Sequence, residues 1–237
     1  MEAIVIMPAI TPHLFIKASQ LYGSEVILVD GLIDSCAAKA AELNRNGKYF
    51  DFSTMKEPYR LEGKKTLGYE IAEQHQWSLP DVILYPTGGG TGLIGIWKAF
   101  REMLELGWIA EPLPRMIAVQ SELCQPVVQA ISKNKLNAVS TSSPSKAYGL
   151  NVPKPFALRL ILETLEESGG DAIAVSEEEL MASTKEIIQR EGIMVSPEGG
   201  SLWAALKKMV ASGKVQRNER VLMLNTGSGF NYLGEWS

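Results

Sequence analysis

Histidine and cysteine are scarce in this sequence, with two of each among 237 residues. His13 and His75 lie far apart, so no histidine-based metal motif is expected. Cys36 and Cys124 have no metal-ligand spacing and form no disulfide framework, which fits a reducing compartment. No metal site is predicted. Apolar runs stay short of the roughly 18 residues a membrane helix needs, so no membrane span is expected. Basic blocks are missing as well. With a net charge of −4 the chain offers no clustered cations to neutralise a nucleic-acid backbone. The opening MEAIVIMPAI has no basic leader, so no signal peptide is expected and a cytosolic location is the default. No repeat, low-complexity tract or G-x-x-x-x-G-K-[ST] loop occurs, and nucleoside triphosphate hydrolysis is unsupported.

What is present is a globular composition, 46% hydrophobic and 21% charged, long enough for one large α/β domain or two small ones. Short apolar runs alternate with helical patterns. Strands are predicted at Ala3–Met7, Glu25–Val29, Tyr49–Phe52, Val82–Tyr85, Met116–Gln120, Ala172–Val175, Ile193–Val195 and Val221–Leu224. Helices are predicted from Thr11 and Pro12 to about Tyr22, over Ile33–Asn46, from near Glu62 to His75, and after the glycines at 88–92. Further helices are predicted over Pro126–Ser132, Phe156–Glu167, Glu177–Glu191 and Leu202–Ser212. Ser176 and Glu179 spell a capping box, Gly192 a stop, and 137–155 reads as a loop. The alternation predicts an α/β fold: an open, mostly parallel sheet flanked by helices in three layers. A buried strand beginning at residue 3 suggests a chain that starts inside a fold.

The most informative stretch is Asp81–Phe100, DVILYPTGGGTGLIGIWKAF. An apolar strand runs into Gly88, Gly89, Gly90, Thr91 and Gly92. A helix follows whose Leu93, Ile96, Trp97, Phe100, Met103 and Leu104 share a face. A glycine loop at a helix start gathers backbone N–H groups at the positive end of the dipole, and that favours a phosphate. A tight turn without a ligand would need fewer glycines. A second loop, Asn225–Gly229, also follows a strand; its Thr226 and Ser228 offer hydroxyls to a polar ring atom, or simply make a turn. Ligands in open α/β sheets bind at the carboxyl ends of strands, so the two loops are expected to meet. One rival reading is a dinucleotide fingerprint, Gly90-x-Gly92-x-x-Gly95 with Glu122 as ribose ligand. The acid lies 27 residues beyond Gly95, further than the usual distance of about 20. Arg60, Lys64 and Lys65 crowd a helix entry, either as a solvated end or as a second anion site.

Five segments, YRLEGKKTLGYE (59–70), PTGGGTGLIG (86–95), GLNVPK (149–154), SPEGGS (196–201) and LNTGSG (224–229), together resemble the fold-type II (tryptophan synthase β-like) family of pyridoxal-phosphate enzymes. The resemblance implies pyridoxal 5'-phosphate as cofactor and an amino acid as substrate. It implies that Gly88, Gly89, Gly90, Thr91 and Gly92 hold the cofactor phosphate, that Thr226 bonds the pyridine nitrogen, and that Glu198 flanks the ring. It implies that Arg60 contacts the phosphate of O-phosphohomoserine, in a carbon–oxygen lyase reaction that adds water and releases phosphate. Other members of the family, dehydratases and ammonia-lyases, remain open, as does a non-catalytic ligand-binding or interaction module. The family's Schiff-base lysine lies in an S-x-K-x-R motif with no counterpart here, so no catalytic lysine is assigned; Lys17, in HLFIKASQ, does not match it. The resemblance therefore implies a member without about its first hundred residues. Residues 1–52 would be a remnant of the small domain and 53–237 the C-terminal part of the large one. GLNVPK has Asn151 where arginine is expected. A homodimer is compatible with the resemblance.

Overall fold

The computed structural model describes residues 2–133 and 144–235. The chain opens with β1 (Ile4–Pro8), α1 (His13–Leu21), β2 (Glu25–Val29) and α2 (Ile33–Leu43). β1 and β2 pair in parallel as a two-stranded sheet. This layer carries little core: no residue of α1 is buried, and in α2 only Cys36 is.

The larger unit begins with α3 (Tyr59–Gln74) and enters the sheet at β3 (Val82–Pro86). Successive side chains of a strand leave on opposite faces, and every residue of β3 is buried. Ile83 and Tyr85 join one apolar cluster, Val82 and Leu84 another. After α4 (Thr91–Glu105), β4 (Arg115–Ser121) repeats the alternation, Met116 and Ala118 on the first side, Ile117 and Val119 on the second. A strand apolar on both faces needs helices on both, which produces three layers. On the first face lie α3, α4, α5 (Pro126–Lys133) and α6 (Leu158–Glu167), through residues such as Ile71, Phe100, Val127 and Ile161. After β5 (Asp171–Val175) come α7 (Glu177–Glu191) and α8 (Pro197–Ala211), which cover the second face with Leu180 and Leu202. β6 (Val221–Met223) closes the order β5-β4-β3-β6, every pairing parallel. From β3 the chain winds out to β4 and β5, then returns across the other face to lay β6 on the opposite edge of β3. The carboxyl ends of β3 and β6 thus flank a topological switch point, where open α/β sheets bind ligands.

Several boundaries differ from expectation for local reasons. Tyr49–Phe52 is not a strand. The Asn44 amide accepts from the Tyr49 N–H at 2.8 Å and donates to its carbonyl at 2.9 Å, taking the groups a sheet partner would use. α3 starts at Tyr59, three residues early, because the Glu57 carboxylate accepts from the Arg60 N–H at 3.1 Å and caps the first turn. α1 begins at His13 with Pro12 in the cap position and no Thr11 side-chain bond. The glycines of PEGGS lie inside α8 rather than before it, with Ser196 as N-cap and Pro197 in the first turn. They belong there sterically: a Cβ on Gly200 would overlap the Thr184 hydroxyl, and one on Gly199 the Asn225 side chain. Ile193–Val195 makes only one bridge, Val195 to Ser228. The Ser176–Glu179 capping box and the left-handed Gly192 stop of α7 are present as expected. Of the predicted 137–155 loop, 137–143 lie outside the described residues; the rest is irregular around a 3-10 turn at Tyr148–Leu150.

A buried amide ties the switch point to the first face. The Gln120 side chain donates to the Thr87 carbonyl at 3.1 Å and accepts from the N–H groups of Val127 and Val128 at 2.9 and 3.3 Å. Gln120→Leu leaves three backbone groups unpaired in a similar volume, and is expected to lower unfolding free energy by about 2–4 kcal/mol, read as a shift in urea midpoint at unchanged slope.

Candidate functional site

β3 ends at Pro86, and the next six residues decide the chemistry. Thr87 is fixed from both sides: its N–H bonds the Val119 carbonyl at 2.8 Å, and its hydroxyl donates to the Tyr85 carbonyl at 2.9 Å. Gly90 then takes φ +82° as the cap residue of α4. A Cβ there would overlap Ile161, one on Gly88 would overlap the Gly149 carbonyl, and one on Gly92 the Tyr85 hydroxyl. Space as well as backbone conformation requires glycine at these positions. The first hydrogen bond of α4 is Ile94 N–H to the Gly90 carbonyl at 3.0 Å. Among the described residues, the N–H groups of Gly88, Gly89, Gly90, Thr91, Gly92 and Leu93 have no protein acceptor. Gly88, Gly90, Gly92 and Leu93 are buried, while Gly89 and Thr91 are partly open. Buried, unpaired amides at a helix start need an acceptor, and a multivalent oxyanion satisfies several at once.

The second loop lies where the switch point requires. Leu84 and Met223 are register partners, and the Leu224 N–H bonds the Leu84 carbonyl at 3.3 Å. The loops after β3 and β6 therefore leave the same edge of the sheet from adjacent strands. Thr226 is exposed and its hydroxyl has no protein partner among the described residues. Ser228 serves the turn instead, accepting from the Phe230 N–H at 3.3 Å.

Thr226 borders a cleft of about 510 Å³ between the two-stranded layer and the main sheet. Pro8, Pro12, Phe15 and Leu32 form its apolar wall, and Glu198, Asn151 and Tyr232 supply polar groups. Among the described residues no lysine or arginine lines it. Glu198, only 5% exposed in the first turn of α8, accepts from the Gly149 N–H and the Tyr232 hydroxyl, each at 2.8 Å and both on Oε1. Burial, then the Glu198 charge, pushes the Tyr232 phenol well above its usual range, so it stays a donor. Asn151 has a structural job, pairing its amide with the backbone of Ser145 at 2.9 Å in both directions.

The structure thus brings Thr226 and Glu198 into one cleft. The 88–92 loop lies next to it, behind the Gly149–Val152 turn on which Gly88 packs. Arg60 is not a cleft residue. Its guanidinium donates to the Phe52 carbonyl at 3.2 Å and the Thr54 hydroxyl at 3.1 Å, and Thr54 abuts Gly89. Lys65 is no anion site, because it pairs with Glu62 at 2.6 Å and Glu102 at 2.8 Å, and these acids hold its ammonium above the usual range. The dinucleotide fingerprint also has another explanation. Gly95 and Gly68 are contact points between α3 and α4: a Cβ on Gly95 would come 2.9 Å from the Lys64 Cβ, and one on Gly68 2.6 Å from the Ala99 Cβ. Glu122 faces Lys208 at 3.8 Å, on the β5 side of the sheet. Tyr232 and Phe15 had no signal in the sequence, since neither lies in a motif.

A parallel sheet, a switch-point crevice and an amide cradle define the α/β proteins that hold a phosphorylated ligand at their strand ends. The family model described as pyridoxal-phosphate dependent enzyme matches residues 1–227, and the chain belongs to that family. It is similar to the threonine synthase of Methanocaldococcus jannaschii, 32% identical over 212 residues, covering 89% of this chain and 52% of that protein. The threonine synthase of Methanosarcina acetivorans is 34% identical over 208 residues, covering 87% and 51%. The chain spans about half the length of these relatives. In fold it matches the structures of maize serine racemase (TM-score 0.79, 19% identity, 99% of this chain and 68% of that one) and of a fungal L-serine ammonia-lyase from Rhizomucor miehei (0.77, 20%, 100% and 74%). The family's cofactor is pyridoxal phosphate; the amides of 88–93, without a protein acceptor among the described residues, and the Thr226 hydroxyl are donors of the kind that a phosphate and a ring nitrogen accept.

Gly90→Ala combines a left-handed backbone with overlap on Ile161, and is expected to cost about 2–4 kcal/mol. Gly107→Ala, at φ +71° with nothing within 4 Å of the added Cβ, tests the backbone contribution alone; it is expected to cost about 1 kcal/mol. Titration with inorganic phosphate should show affinity lost in the first variant and kept in the second.

Proposed function

We propose that this chain is the cofactor-phosphate and ring-binding part of a pyridoxal-phosphate lyase of the threonine synthase type, acting on O-phosphohomoserine and water to give threonine and phosphate. The observation that carries the reading is the run of amides from Gly88 to Leu93, unpaired among the described residues, beside the strand that leads into the Thr226 loop. In this reading the amides of Gly88, Gly89, Gly90, Thr91 and Gly92 bind the cofactor phosphate, entered from the open side at Gly89 and Thr91. The Thr226 hydroxyl bonds the ring nitrogen; a hydroxyl there, unlike a carboxylate, leaves that nitrogen largely unprotonated. Glu198 flanks the ring, and Arg60 meets the substrate phosphate. Bound pyridoxal phosphate supplies the electron sink for charge developing at the substrate α-carbon. The apolar wall of Pro8, Pro12, Phe15 and Leu32 keeps bulk water from that carbon. Residues 1–52 act as the small-domain portion and 53–237 as the large-domain portion. Among the described residues no helix is long and apolar enough to cross a membrane, and a cytosolic setting fits this reading.

The same reading makes the chain incomplete as a catalyst. Among the described residues no lysine lines the cleft, and the sequence has no S-x-K-x-R motif, so this reading leaves the site without the amine that shuttles the α-proton. One observation favours a second reading, a dehydratase or ammonia-lyase of unphosphorylated amino acids: the cleft offers no cation to a substrate phosphate, and Arg60 is engaged beyond Gly89. Calorimetric titration separates the two, with phosphate-dependent binding of O-phosphohomoserine expected for the first and preference for L-serine or L-threonine for the second.

Incubation with pyridoxal phosphate and borohydride is expected to give no stoichiometric lysine adduct that inorganic phosphate protects. Peptide mapping that located one such lysine would overturn the claim of incompleteness.

A further inference from the structure

Tyr232 belongs to a 3-10 segment, Gly229–Glu235, that follows the Thr226 loop and reaches back over α1. Its two ends do different work. The ring packs edge-on against Phe15 of α1, with centroids 5.8 Å apart at 79°. The hydroxyl donates to Glu198 Oε1 at the start of α8. Glu198 is in turn bonded to the Gly149 N–H, and the Gly149 carbonyl is the surface on which Gly88 packs. One contact path therefore runs from the small layer through Tyr232 and Glu198 to the turn that covers the amide cradle. Oε1 already takes two donors. Oε2 takes no protein donor among the described residues, and Glu198 lines the cleft.

We propose that Tyr232 is a positioning residue: its hydroxyl fixes the Glu198 carboxylate so that Oε2 is presented to a hydrogen-bond donor on the bound ligand's ring. The proposal rests on the reading that the cleft receives the cofactor ring. The arrangement has a physical logic. A carboxylate held by a single backbone N–H swings about its χ angles, whereas one held by two donors on the same oxygen is fixed in direction. Both side chains are 5% exposed, so water replaces a lost partner poorly. The phenol keeps its proton throughout the neutral range, because burial and the adjacent carboxylate both oppose ionisation.

The test uses the whole chain at neutral pH, with Tyr232→Phe, Tyr232→Ala and Glu198→Gln. Phenylalanine keeps the ring on Phe15 and removes only the hydroxyl, so a packing role alone is rescued by it. Amide exchange at Gly149 is expected to speed up about tenfold in Tyr232→Phe, while the Thr87 amide, bonded to Val119, stays protected. Pyridoxamine 5'-phosphate, which has no aldehyde to react with surface lysines, is expected to bind about fivefold more weakly to Tyr232→Phe, with inorganic phosphate affinity unchanged. The double variant with Glu198→Gln is expected to bind no more weakly than Glu198→Gln alone. Wild-type exchange at Gly149 in Tyr232→Phe overturns the proposal. So does equal weakening of both ligands, which marks general loosening. If the unaltered chain binds neither ligand, the cofactor reading falls, and the exchange at Gly149 still decides whether Tyr232 fixes Glu198.

Discussion

Backbone groups that cannot reach water must be paired within the protein or by something that enters it. Among the described residues, the stretch from Gly88 to Leu93 leaves six amides in succession without a protein acceptor, most of them under other atoms. The surrounding structure serves to hold that stretch in place. β3, buried on both faces, brings it to the sheet edge, and the side chains of Thr87 and Gln120 fix the Tyr85 and Thr87 carbonyls just before it. Gly90 turns it into α4 through a backbone conformation that side chains resist. Preorganised donors of this sort cost stability when empty and return it on binding, so ligand affinity and fold stability are linked here.

The two layers contribute unequally. The main sheet supplies the amides and the Thr226 hydroxyl from neighbouring strands. The two-stranded layer supplies the apolar wall through Pro8, Pro12, Phe15 and Leu32, and has almost no core of its own. Its attachment relies on side chains such as Phe15 meeting Tyr232 across the cleft. A shallow layer on a deep scaffold suits a part that shifts when a ligand enters, since few buried contacts are at stake.

The fold was legible wherever local signals and burial agree. Val82–Tyr85 reads as a strand because the run is apolar and bounded by Asp81 and Pro86, and the glycines after it read as a ligand loop in preference to a plain tight turn. Leu93, Ile96, Trp97, Phe100, Met103 and Leu104 were readable as one face; the first five are buried and Leu104 is partly buried. The pattern misled where side chains act as substitutes for backbone. Asn44 stands in for a strand beside Tyr49, and Glu57 lengthens α3 by a turn that its own residues do not announce. The PEGGS glycines looked like a loop because propensity counts what glycine loses in a helix, not what Thr184 and Asn225 need beside it. For the site, the glycine loop and Thr226 were visible as motifs, and the shared sheet edge followed from strand order. Tyr232, Phe15 and the engagement of Arg60 with Phe52 and Thr54 were not, because each arises from distant segments meeting.

The glycine contacts between α3 and α4 have a mechanical consequence. Gly95 touches the Lys64 backbone and Gly68 touches Ala99, so the two backbones approach closely at these points, while the Lys65–Glu102 and Lys98–Glu62 ion pairs bridge the helices beside them. A cushioned pair of helices can slide. This pair is geared, and a tilt of one must carry the other. The start of α4 carries the unpaired amides, and the start of α3 carries Arg60, whose guanidinium is tied to Phe52 and Thr54. The start of α3 is therefore seated directly against the start of α4, by backbone approach at Gly95 and by side chains around it.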